Sequence, residues 1–136
     1  MAWFAIGAAF LLSDCATTPV GTSDARTVPP ARVLSTDYIT QRAGTCLVVV
    51  KRDSGFGGSA CSSRVFVDGQ AVAGLATGEK VSLYVTPGEH IIGANPNGIC
   101  GGGLSEVSIV AHIDRPSILR IRYGSNGDYS IQPTAM

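Results

Sequence analysis

Apolar and polar residues alternate along much of the second half of the chain, which is the two-residue period of a half-buried β-strand. In KVSLYV, residues 80–85, the aliphatic side chains fall on one face, and those of Ser82 and Tyr84 fall on the other. EVSIVAHI, ILRIRY and DYSIQ repeat this alternation at residues 106–113, 118–123 and 128–132. The pattern predicts strands that bury one face against a core and leave the other in solvent.

Turn residues separate these segments. Asp68-Gly69 follows the strand-like RVFV and is a strong signal for a tight hairpin, while Pro87-Gly88 favours a second turn. DRPS, residues 114–117, predicts a hairpin between the two long strands on either side of it. TCLVVVKR, residues 45–52, is a continuous β-branched run and predicts a central strand of a sheet.

We therefore predict an all-β fold, a small antiparallel β-sandwich of about seven strands that spans residues 33–136. The competing helical element is a short helix at residues 37–43, which Asp37 could cap.

The first fourteen residues are typical of an export signal. Residues 2–12 are apolar except for Gly7, a run that suits the apolar region of a signal peptide and is too short to span a bilayer as a helix. Leu12 and Ser13 before Cys15 resemble a bacterial lipobox, although Asp14 stands where that motif has a small residue and no Lys or Arg precedes the apolar run. We predict a signal peptide over residues 1–14 and lipid attachment at Cys15. In the alternative, residues 3–12 form a core element and Cys15 is an ordinary thiol.

The following segment, residues 15–32, is rich in Thr, Pro and Ala and has no periodicity, which predicts a flexible tether. At about 3.1 Å per residue, such a tether would hold the domain up to roughly 50 Å from the membrane. By analogy with lipoproteins, Ala16 after the cysteine directs the product to the outer membrane, with its domain in the periplasm.

Composition narrows the classes of function. The chain of 136 residues has a formal net charge of zero, and only two of its ten basic residues are lysines, so it lacks the basic stripe that binds nucleic acid. Charged residues make up 15% of the chain and glycine contributes 17 residues, a balance that favours β structure with many turns over helices.

Three cysteines follow Cys15. In an oxidising compartment they allow one disulfide, and we predict the pair Cys61–Cys100, because both lie at the edges of glycine-rich loops. Cys46 lies inside an apolar strand and is expected to be buried like a small hydrophobic residue. No Cys-x-x-Cys motif indicates a redox role.

Catalytic and cofactor motifs are weak. GFGGSA, residues 55–60, resembles a dinucleotide-binding glycine motif, but a strand rather than a helix follows it, so no cofactor is predicted. His90 and His112 are the two histidines, and their spacing from Glu89 and the cysteines matches no metal-ligand pattern. No arrangement of Ser, His and Asp indicates a triad. We predict a protein that is not an enzyme and holds no metal.

One polar cluster follows from strand periodicity. His112 on one strand of the predicted hairpin would lie near Arg120 and Arg122 on the next. Two guanidinium groups and an imidazole could receive an acidic protein or a glycan carboxylate. The alternative is an ordinary solvated face neutralised by Glu106 or Asp114.

The segment VFVDGQAVAGLATGEKVSLYVTPGEHII, residues 65–92, resembles the PEGA-type repeat and related bacterial lipoproteins. The residues that match are Val67, Asp68, Gly69, Gly78, Glu79, Pro87, Gly88, Glu89 and His90. The resemblance implies a small β-sandwich on an exported or membrane-anchored protein that binds surface glycans or neighbouring proteins. It brings no catalytic residues.

Three hypotheses of function follow. The first is an outer-membrane lipoprotein that acts as a non-enzymatic protein-interaction or structural module of the cell envelope, through loops and a sheet edge. The second is a module for peptidoglycan or surface polysaccharide, favoured if the aromatic residues Tyr84 and Phe56 line a groove. The third is an inhibitor of lysozyme, which rests on size, export and the disulfide.

Overall fold

The described residues form β-strands that enclose one apolar core. A computed structural model describes residues 16–98 and 100–136, so the signal peptide predicted for residues 1–14 and the lipid attachment predicted at Cys15 lie outside the described residues. The strands are β1 (Arg26–Thr27), β2 (Cys46–Arg52), β3 (Ser63–Val67), β4 (Gln70–Leu75), β5 (Glu79–Val85), β6 (Gly88–Pro96), β7 (Ser105–Ala111), β8 (Ser117–Tyr123) and β9 (Tyr129–Pro133), with one turn of 3-10 helix at Pro30–Arg32. The all-β prediction is confirmed, although the described residues form nine strands rather than about seven.

Two sheets share the core. The five-stranded sheet has the order β1-β5-β2-β8-β9, and the four-stranded sheet has the order β4-β3-β6-β7. Both contribute aliphatic side chains to one cluster, for example Val50 and Leu83 from the first sheet and Val65 and Ile92 from the second. This arrangement is that of a β-sandwich, with β2 at the centre of its sheet as the sequence predicts.

Strand periodicity accounts for which side chains enter the core. Along β5, Val81, Leu83 and Val85 are buried while the residues between them are half-buried, as the alternation predicts. Asp68 and Gly69 both have positive φ, 47° and 84°, which is the backbone that a two-residue hairpin of type I′ requires. The predicted hairpin between β3 and β4 is therefore confirmed.

Strand pairing differs from the prediction in two places. β2 pairs with β8 and β1 pairs with β5 in parallel, so the five-stranded sheet is mixed rather than antiparallel. The turn at residues 112–116 does not close a hairpin, because β7 pairs with β6 in one sheet while β8 lies between β2 and β9 in the other. Side-chain alternation fixes which face of a strand is buried but not which strand is its neighbour.

The residues before β2 also differ from expectation. The segment at residues 37–43 forms turns rather than the alternative helix. Residues 16–32, for which the sequence predicts a flexible tether, lie against the five-stranded sheet. Ala25 and Val28 are buried, and Thr18 forms a two-way backbone bridge with Ser54. Because these contacts involve isolated side chains and backbone groups, they produce no periodic pattern of apolar residues from which docking could be predicted.

Candidate functional site

An apolar groove lies beside the outer edge of β5. It encloses about 380 Å³ and is lined by Thr27, Val28, Pro30, Val33, Thr36, Ile39, Val81, Ser82 and Tyr84. The segment from residue 28 to residue 39 forms its far wall, since it leaves β5 at Val28 and reaches β4 through a bridge between Val33 and Ala73. A concave, mostly apolar groove of this size, with few polar groups, is typical of a ligand-binding site.

Backbone polar groups line the floor of this groove. The Lys80 carbonyl accepts a hydrogen bond from the Val28 N–H at 2.8 Å, and the Tyr84 N–H donates to the Tyr38 carbonyl at 2.7 Å. Since backbone groups point to alternate sides along a strand, the N–H and C=O of Ser82 point to the same edge, between those two contacts. They offer one donor and one acceptor to an extended chain laid in the groove.

A second polar arrangement lies on the outer face of the five-stranded sheet, under residues 16–28. Lys51 is 1% exposed and donates to the Val20 carbonyl at 2.7 Å. Lys80, its neighbour on β5, donates to the Thr22 carbonyl at 2.5 Å. Burial lowers the pKa of the Lys51 ammonium, and the nearby carboxylate of Asp53 opposes that effect only in part.

Asp53 connects three parts of the chain at this face. Its carboxylate is 1% exposed, accepts a hydrogen bond from Arg120 Nε at 3.0 Å and accepts another from the Thr17 hydroxyl at 2.8 Å. Arg120 is therefore engaged in a structural ion pair rather than presented to a ligand. Sequence analysis missed this role of Asp53, although three consecutive charged residues at the end of a buried strand, KRD, were a signal that these charges are partnered.

The structure does not bring the predicted polar cluster together. His112 lies after β7, where its Nε2 is 3.0 Å from Arg115 Nη2. Arg122 lies on β8 in the other sheet, and its Nη1 is 3.8 Å from a carboxylate oxygen of Asp128. The hypothesis of a joint site for His112, Arg120 and Arg122 depends on a β7–β8 hairpin, which does not form.

The two aromatic residues singled out from the sequence lie in different places. Tyr84 is half-buried and lines the groove beside β5. Phe56 is 94% exposed and belongs to the loop that follows β2. The groove beside β5 therefore holds only one of the two.

The disulfide predicted between Cys61 and Cys100 is present, and Cys46 is a buried free cysteine as expected. The bond joins the loop after β2 to the loop after β6. Arg52 is the last residue of β2. Its guanidinium donates to the Gly58 carbonyl in the first of these loops at 2.6 Å and to the Leu75 carbonyl at the end of β4 at 2.9 Å. The disulfide therefore links two glycine-rich loops, and the guanidinium is bonded to the first of them.

Within residues 16–98 and 100–136, no group of three or more His, Cys, Asp or Glu side chains is arranged to hold a metal ion. That same part of the chain contains no helix long and apolar enough to cross a bilayer. No protein-family model matches the chain, and no curated protein or solved structure is significantly similar to it. Its function must be inferred from the fold and from the chemistry of its surface.

Proposed function

We propose that the protein is an exported lipoprotein, anchored at Cys15 to the outer membrane, whose domain is a non-enzymatic protein-interaction module of the cell envelope. The Cys61–Cys100 disulfide supports export, because such bonds persist in oxidising compartments and are rare in the cytosol. The lipobox-like residues before Cys15 support the anchor.

The observation that carries the binding role is the groove beside the partly unpaired edge of β5. An extended segment of a partner would add to this edge as a short strand, with main-chain hydrogen bonds to Ser82. Its apolar side chains would pack on groove residues such as Val33 and Ile39. The predicted ligand is therefore an extended peptide with alternating apolar side chains, contributed by another envelope protein.

Two substitutions at Ser82 test this role. Ser82→Pro removes the N–H that points into the groove, at a position of β5 with which β1 does not pair, so proline is tolerated there; Ser82→Ala keeps that N–H and serves as the matched control. Displayed random peptides selected on the full-length protein should include alternating apolar sequences that bind the wild type and Ser82→Ala. Binding to Ser82→Pro should be at least about tenfold weaker, the loss of one well-made hydrogen bond to a buried partner. Equal binding to all three proteins would contradict strand addition at β5.

Glycan binding is the second candidate, and the position of Tyr84 in the groove favours it. Sugar rings pack on aromatic side chains, so Tyr84→Ala would weaken such binding. Sedimentation with purified peptidoglycan sacculi distinguishes the candidates. A protein-binding module stays in the supernatant, while a glycan-binding module sediments and is released by Tyr84→Ala.

The anchor is tested separately by the intact mass of the protein extracted from membranes of its native host. A chain that begins at Cys15 and carries acyl groups supports the proposal. A chain that retains Met1 with an unmodified Cys15 would contradict it.

A further inference from the structure

The chain enters the domain at one particular end of the sandwich. The Thr17 N–H donates to the Tyr123 carbonyl at 2.9 Å, and the Tyr123 N–H donates to the Thr17 hydroxyl at 2.9 Å. These bonds fix the chain two residues after Cys15, the residue to which the proposed function assigns the lipid. Because two residues of extended chain span at most about 7 Å, an acyl group on Cys15 would emerge beside the loops at this end.

Three loops meet at the same end and together carry one charged residue, Asp128. They comprise residues 54–60 after β2, residues 100–103 before β7, and residues 124–128 between β8 and β9. They surround a shallow cavity of about 330 Å³ lined by Gly57, Gly58, Cys100, Gly101, Tyr123, Gly124 and Gly127. Because Asp128 is the one ionised residue of these loops and lies 3.8 Å from Arg122 Nη1, this end has few charges from which water must be removed when it approaches lipid.

Phe56 projects from the first of these loops. Its side chain is 94% exposed, the highest exposure among the large apolar residues of the described chain. The neighbouring Gly55 lies against the entering chain, since a Cβ added there would sit 3.4 Å from the Thr17 Cα. An exposed phenylalanine is thus held directly beside the point where the chain leaves for Cys15.

We propose that the loop of residues 54–60 is a membrane-contact loop, and that Phe56 inserts into the lipid interface next to the acylated Cys15. This inference rests on the proposed lipid attachment. Aromatic side chains favour the membrane interface, so an exposed phenylalanine beside the acyl group adds an interfacial contact to the lipid anchor. The loop contact also orients the domain, with the turn at residues 112–116 pointing away from the membrane and the groove beside β5 along the side.

A single tryptophan reports on the insertion. The chain has one tryptophan, Trp3, which signal-peptide cleavage removes, so Phe56→Trp gives the mature lipoprotein a unique fluorophore. The full-length variant is produced in the native host and reconstituted into vesicles of phosphatidylethanolamine and phosphatidylglycerol with brominated acyl chains. Its emission should shift to shorter wavelength, and the bromine atoms should quench most of it.

Ile113→Trp is the matched control. Ile113 is 67% exposed and follows β7, at the opposite end of the sandwich from Gly124. Its tryptophan should emit as a water-exposed fluorophore and escape quenching. Both variants replace exposed apolar side chains, so neither is expected to change the fold.

A second measurement uses a variant without tryptophan, so that the fluorophore itself cannot drive insertion. In vesicles, Phe56→Ser should increase deuterium uptake in residues 54–60 relative to the wild type and leave residues 112–116 unchanged. Intact mass is recorded for every sample. Acylated protein with an unquenched tryptophan at position 56 would overturn the membrane-contact loop alone. A mass without acyl groups would overturn the lipid anchor and the loop contact with it.

Discussion

At the scale of single residues, His90 and Asp68 join two turns that are 22 residues apart in sequence. His90 Nδ1 is 2.7 Å from the Asp68 carboxylate, and its Nε2 is 2.7 Å from the Thr86 carbonyl. Both neighbours are acceptors, and only the doubly protonated ring can donate to both. Burial disfavours the charged ring, but the bonds to Asp68 and Thr86 outweigh burial and raise the pKa of His90. For Asp68, burial is outweighed by the bonds from His90 and the Ile91 N–H, which lower its pKa.

These directions predict how stability changes with pH. The contribution of His90 is complete below its unfolded pKa of about 6.5 and is lost as pH rises through the higher folded value. The contribution of Asp68 is complete above its ordinary pKa and is lost as pH falls through the lower folded value. The melting temperature should therefore fall by a few degrees between about pH 6 and pH 9. Asp68→Asn, which tolerates the positive φ of the turn, should flatten that decrease. An unchanged pH profile in this variant would contradict the linkage.

At the scale of strands, the sequence predicts local geometry better than pairing. The alternation in β5 and β8 correctly assigns buried faces, because a two-residue period is a property of the strand itself. The path after β7 could not be predicted in this way, since the turn that contains Asp114 and Pro116 is compatible with either a hairpin or a crossing between sheets. The same distinction between face and neighbour applies to the residues predicted for the site. Tyr84 was correctly placed on an outer face, while the partners of Arg120 depend on a neighbour that periodicity does not specify.

The disulfide is the covalent link between two of these elements. It closes a loop of 39 residues between Cys61 and Cys100, which corresponds to about 4 kcal/mol of stability in the chain-entropy description. The double variant Cys61→Ala/Cys100→Ala should lower the free energy of unfolding in urea by about that amount. Cys46→Ala, which changes a buried free cysteine, is the control and should cost about 1 kcal/mol. If both variants lost a similar amount of unfolding free energy, the covalent bond itself would contribute little to stability beyond the packing of the two cysteine side chains.

At the scale of the whole molecule, the N-terminal segment is docked on the domain. Its Thr- and Pro-rich composition indicates a tether, yet residues 16–28 lie over the end of β2, where Lys51 is buried and donates to the Val20 carbonyl. Composition could not reveal this, because the stabilising partners are the side chains of Lys51 and Asp53, which lie far along the sequence. If the protein is anchored at Cys15 as we propose, the docked segment would replace a reach of tens of ångströms by direct contact with the membrane surface.

Asp53 is the residue on which that docking depends, because it joins Arg120 of β8 to Thr17 of the N-terminal segment. Asp53→Asn would leave the Arg120 guanidinium, whose side chain is 17% exposed, without its counter-charge. We expect a loss of about 3 kcal/mol in the free energy of unfolding, as when one partner of a buried ion pair is removed. Deuterium uptake at residues 16–20 should increase more than uptake in the core strands.

Asp24→Asn provides the control for this prediction, because it makes the same chemical change at an exposed position of the same segment. Its effect should stay within about 0.5 kcal/mol, and uptake at residues 16–20 should match the wild type. If Asp53→Asn proved as mild as Asp24→Asn, the buried ion pair would not hold the segment in place. The domain would then extend from its anchor on a tether, as composition alone predicts, and Phe56 would have no fixed position beside the membrane.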